Sequence, residues 1–81
     1  MIRQKRPALV IAFDSTTQAL AAEALFTQRG LPGRTIPLPA QVAAGCGLAW
    51  KAEPAQEAQL LAALADAGCG HARCAVVELF T

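Results

Sequence analysis

The sequence predicts an α+β fold: a ferredoxin-like two-layer sandwich of order βαββαβ, a four-stranded antiparallel sheet with two helices on one face. Three observations predict it. Apolar runs suited to strands lie near either end, at Ala8–Phe13 and Ala72–Phe80. Between them are two stretches of helical periodicity, each stopped by a glycine, Gly30 or Gly68. Two shorter strand-like segments, Arg34–Leu38 and Leu48–Ala52, separate the helices.

Taken in order, Ala8–Phe13 (ALVIAF) is continuously apolar, as suits a central strand covered on both faces. Asp14-Ser15-Thr16-Thr17 follows, a cluster of side chains able to cap a helix by accepting bonds from its free N–H groups. The helix is expected to run to about Arg29, burying Ala19, Ala22, Leu25 and Phe26 at helical spacing. Pro32, Pro37 and Pro39 bracket and interrupt Arg34–Leu38; proline cannot donate to a ladder, so this strand belongs at an edge. Ala40–Gly47 (AQVAAGCG) is a small-residue connection ending in a glycine-flanked cysteine. Leu48–Ala52 is the third strand, and Pro54 suits the first turn of a second helix. That helix is expected to bury Ala58, Leu61, Leu64 and Ala65, with Leu60 at the margin. Residues 1–7 read as a flexible N-terminal arm and 8–81 as a single domain.

Composition narrows the function. Of 81 residues, 54% are apolar and 16% charged, which excludes a disordered segment. Seven basic and six acidic residues leave a formal charge of +1, no footprint for nucleic acid. Arg3, Lys5 and Arg6 cluster at the start and read as a solvated arm. No stretch approaches the roughly 18 apolar residues of a membrane span. No secretory signal is legible before Asp14, so a cytoplasmic protein is expected. Three cysteines in a reducing compartment are expected as thiols, metal ligands or a reactive site, not as a disulfide framework.

If the chain alternates direction as this fold requires, three connections gather at one end of the sheet: Asp14–Thr17, Ala40–Gly47 and Gly68–His71. Cys46 then lies near the N-terminus of the first helix, with Cys69 and His71 at the same end. A helix N-terminus favours an anion, and the thiolate is the reactive form of cysteine. Gly45 and Gly47 suit close approach to the sulfur. On the residues alone, Cys46 reads equally as a reactive thiol or as a small buried apolar side chain.

FDSTTQALAAEALF at Phe13–Phe26, RGLPGRTIPLPAQV at Arg29–Val42 and CGLAWKAEP at Cys46–Pro54 together carry a resemblance. The chain resembles a small bacterial family, putative selenium/sulfur carrier protein-like. Cys46 and Gly47 match the family's Cys-Gly, and Ser15 and Thr16 its helix-start pair. The resemblance implies that Cys46 carries sulfur or selenium as a persulfide or selenopersulfide. It also implies a donor and an acceptor protein, and a carrier in place of a stand-alone enzyme. Hydroxyl residues commonly precede the family's cysteine, whereas Ala43, Ala44 and Gly45 stand here, which leaves activation to backbone and helix dipole.

Other residues have competing readings. Cys69, His71 and Cys74 form C-x-H-x-x-C, and with Cys46 they would make a zinc ligand set. Paired C-x-x-C knuckles are missing and Cys74 falls inside a strand, so no metal and no other cofactor is expected. Cys69 is a candidate resolving thiol for Cys46, and His71 either an accessory proton carrier or a surface residue. Trp50 suits core packing, and Asp14 a capping role. The rivals to a carrier are a thiol redox or metal-binding module and a non-catalytic interaction domain. Both alternating sets of the first strand are apolar while helices cover one face, so the free face is expected to dock a partner or a second copy.

Overall fold

A computed structural model describes residues 4–42 and 45–80; the readings that involve Arg3, Ala43 and Ala44 lie outside the described residues. The elements are β1 (Lys5–Ala12), α1 (Thr16–Gln28), β2 (Arg34–Pro37), β3 (Leu48–Ala52), α2 (Glu57–Asp66) and β4 (Arg73–Phe80). The sheet order is β2-β3-β1-β4, with every neighbouring pair antiparallel. This is the ferredoxin-like sandwich. β1 is interior, as its apolar run requires, and the proline-bearing β2 is at an edge.

β1 begins at Lys5, so Lys5, Arg6 and Pro7, expected in the arm, belong to the strand and pair with Phe80, Leu79 and Glu78 of β4. Pro7 is tolerated there because β3 pairs with β1 only from Leu9 to Ala12. At Pro7 one side of β1 therefore has no neighbour that needs an N–H. Lys5 stacks its ammonium 5.3 Å from the ring centre of Phe80.

Ser15, not Asp14, caps α1: its side chain accepts from the Gln18 amide at 3.1 Å. The Gln18 side chain in turn accepts from the Asp14 amide at 2.9 Å, so free donors at the helix start are satisfied in both directions. α1 buries Ala19, Ala22 and Phe26 as expected, while Leu25, expected with them, is half-buried at the core's margin. α2 departs from expectation in phase. Leu60, Ala63 and Leu64 are buried, Leu61 is half-buried, and Ala58 and Ala65 are exposed. A single 3-10 turn, Pro54–Gln56, precedes the helix. The face that carries Leu60 and Leu64, one helical turn apart, removes more apolar surface from water than the face that carries Ala58 and Ala65.

The sheet separates two apolar layers. Leu9, Ile11, Phe13 and Trp50 pack with Phe26, Leu60 and Leu64 on the helix side. Val10, Ala12 and Ala49 lie on the far side with Val42, and all four are almost wholly buried. Here the expectation of an uncovered far face is corrected. The β2–β3 connection folds back over it: Val42 is 3% exposed, and the Gln41 side chain reaches across to donate to the Glu78 carbonyl on β4 at 3.1 Å. The connection is closed at its base by Leu38 N–H donating to the Gly47 carbonyl at 2.9 Å. Among the described residues, no helix is long and apolar enough to cross a membrane.

Candidate functional site

The three connections expected to converge do so. Ala12, the last residue of β1, is paired with Ala49 on one side and Arg73 on the other. Its carbonyl also accepts from the Ala72 amide at 2.8 Å, which ties the α2–β4 connection to the start of α1. Gly70 lies against Gln18 of the first turn. Gly45 packs so closely on Asp14 that a Cβ there would stand 3.0 Å from the Asp14 carbonyl oxygen. Cys46 is thus delivered to the end of the sheet where α1 begins.

The sulfur of Cys46 is half-buried at the margin of the helix-side core. Its polar partners come from the first residue of β3: Leu48 N–H donates to Sγ at 3.4 Å, and the thiol donates to the Leu48 carbonyl at 3.5 Å. The intervening Gly47 has φ +79, a left-handed conformation that makes this reversal cheap for glycine and costly for other residues. The Leu48 carbonyl accepts the S–H hydrogen bond while sulfur holds its proton, and the Leu48 N–H is a donor that a sulfur anion could accept from. Ser15 spends its hydroxyl on the Gln18 amide, and Thr16 is the exposed first residue of the helix. The Leu48 backbone was beyond sequence reasoning, because a peptide group has the same chemistry under any side chain.

The remaining thiols differ. Cys69 is half-buried, with Sγ 3.8 Å from the Gly70 carbonyl, and packs at the margin of the same core as Cys46. His71 is exposed in the same connection. Cys74 faces the helices and donates to the Glu57 carboxylate at 3.5 Å. Burial, and then the hydrogen bond to and negative charge of Glu57, push its thiol up to about 11. Glu57 escaped the sequence reading because the register between α2 and β4 decides the contact. Among the described residues no group of three or more His, Cys, Asp and Glu side chains lies close enough to hold a metal ion. The C-x-H-x-x-C residues do not converge, since Cys74 is turned toward α2. All three cysteines are free. Trp50 is a core residue: its ring centre lies 4.9 Å from that of Phe26, and its indole N–H donates to the Pro32 carbonyl at 3.1 Å.

A family model described as "Putative Se/S carrier protein-like" matches residues 8–75, from β1 into the first residues of β4. Comparison with curated proteins and with solved structures gave no match.

Proposed function

Because the chain belongs to that Se/S carrier protein-like family, we propose that Cys46 is the residue on which a sulfur or selenium atom travels. The observation that supports this most directly is the setting of its sulfur: half-buried, at the mouth of a closed loop, with the Leu48 amide donating to it.

Loading is an exchange without net oxidation. The Cys46 thiolate attacks the outer sulfur of a donor persulfide. A new S–S bond forms on Cys46, the donor's own S–S bond breaks, and the donor leaves as a thiolate. Unloading is the same step with an acceptor thiolate attacking the outer sulfur. Selenium follows the same path as a selenopersulfide. Gly45 and Gly47 keep side chains away from the incoming sulfur, Ser15 and Thr16 mark the helix start beside it, and Cys69 and His71 lie on the neighbouring connection. A Cys69 thiolate attacking the inner sulfur of loaded Cys46 would expel hydrosulfide and leave a Cys46–Cys69 disulfide, which makes Cys69 the resolving thiol. Donor and acceptor are proteins of the reducing cytoplasm on this reading.

The test is peptide mass spectrometry after incubation, without reductant, with a cysteine desulfurase and free cysteine. One extra sulfur atom is expected on the Cys46 peptide and none anywhere in Cys46→Ser. Sulfur found on Cys69 alone, or none on any cysteine, would defeat the assignment.

A further inference from the structure

At the end of the sheet away from Cys46, β1 and β4 overhang the shorter β2 and β3. The step between them is a cavity of about 430 Å³. Its volume is within the range of small-ligand sites. Arg6 of β1, Arg34 of β2 and Lys51 of β3 line it, with Glu53 as its one carboxylate. That is an excess of two positive charges in a chain whose formal total is +1. Arg34 and Lys51 are direct cross-strand partners, so two cations stand opposite each other on one face. Like charges so placed are mutually destabilising. None of the three cations forms an ion pair among the described residues, where Arg29–Asp66 is the ion pair formed.

One wall of the cavity is rigid. The Pro32 carbonyl is held by the Trp50 indole, and Gly33 packs so tightly on that ring that a Cβ would collide with its nitrogen. The Arg34 backbone is therefore positioned before any ligand arrives.

We propose that this cavity binds the phosphate group of a small phosphorylated molecule. A dianion would relieve the Arg34–Lys51 repulsion. Guanidinium groups present paired donors to phosphate oxygens, and the ammonium adds a point charge. The site is independent of Cys46: Lys51 and Leu48 are three residues apart on β3, roughly 10 Å of strand, with the thiol beyond Leu48.

The experiment is titration of isotope-labelled protein with sodium pyrophosphate and, separately, with glycerol phosphate, ionic strength being held constant with sodium chloride. Saturating amide shifts are expected at Gly33, Arg34 and Lys51, and unchanged binding in Cys46→Ser. Arg34→Gln and Lys51→Gln should each weaken binding about tenfold or more. Lys51→Arg should retain it, and Arg73→Gln, which removes a cation from the other end of the same face, should leave it unaltered. Shifts that never saturate with either probe would overturn the proposal. So would an equal loss in Arg73→Gln, which would mean diffuse screening. Amide spectra of the free variants confirm that each substitution leaves the fold intact.

Discussion

Near pH 8 a thiol pushed up to about 11, as Cys74 is, holds almost no reactive thiolate. Alkylation followed separately at each cysteine should therefore find Cys74 slowest, and Cys46, the proposed carrier thiol, fastest. Glu57→Gln removes the charge and the carboxylate acceptor but not the burial, so Cys74 should label faster in that variant, though not as an open thiol would. The same shift has a sign in stability. The folded state holds the Cys74 proton more tightly than the unfolded chain, whose ordinary value is 9.0. That contribution is fully present below about pH 9 and is lost as pH rises through about 11. Stability measured across that window should fall more steeply in the parent than in Cys74→Ala. Two glycines make a further comparison. Gly47→Ala meets open space and suffers its left-handed backbone alone, about 1–2 kcal/mol. Gly33→Ala has φ +124 and drives a methyl into the Trp50 ring and the Lys51 carbonyl, so at least about 3 kcal/mol is expected. Urea midpoints that ranked the two equally would contradict this.

At the scale of elements, α2 is where sequence and structure part. Its periodicity announced a helix, and Gly68 its end, but the buried stripe depends on which face packs against the sheet and α1. Pro54 fits a 3-10 turn as well as an α-helical first turn, and the helix after it buries Leu60, Ala63 and Leu64, the face with two leucines one turn apart. Leu60→Ala should accordingly cost about 2–5 kcal/mol, and half-buried Leu61→Ala clearly less. Denaturant curves decide between the two phases. β1 was legible because apolar side chains on both faces leave few alternatives for a strand. Its extension to Lys5 was not, since Lys5–Pro7 looks polar and strand-breaking until β4 is seen alongside. The candidate site divides similarly. Convergence of the three connections follows from strand order, but Leu48 as the sulfur's partner and Glu57 as Cys74's depend on registers that no side-chain pattern states.

Across the whole molecule, one sheet separates two apolar layers, and the second is closed by the chain itself. The notion of a bare far face came from counting helices, of which two cover one side. It missed the lone Val42 in a small-residue connection, which is 3% exposed in the folded protein. Val42→Asp would place a charge against Val10, Ala12 and Ala49. Stability should fall by more than about 2 kcal/mol, and the uncovered layer should promote self-association, seen as concentration-dependent sedimentation. A variant that stayed as stable as the parent would show that Val42 does not hold the connection in place. Among the described residues, the large apolar side chains that remain exposed are Leu20, Val76 and Phe80, on α1 and β4. A partner or second copy recognised by apolar contact would find them there.

Surface loops ordinarily tolerate insertions and deletions. The β2–β3 connection should not, because its length is measured at three points: Leu38 bonded to Gly47 at the base, Val42 seated beneath it, and Gln41 fastened to β4. One residue added between Pro39 and Val42 would leave the base closed but carry Val42 past its seat, while one added after Val42 would leave that seat filled and push Gly45, and Cys46 with it, off Asp14. Among homologous chains, changes of length should therefore gather in the other connections, and the spacing from Val42 to Cys46 should be preserved even where the residues between them differ.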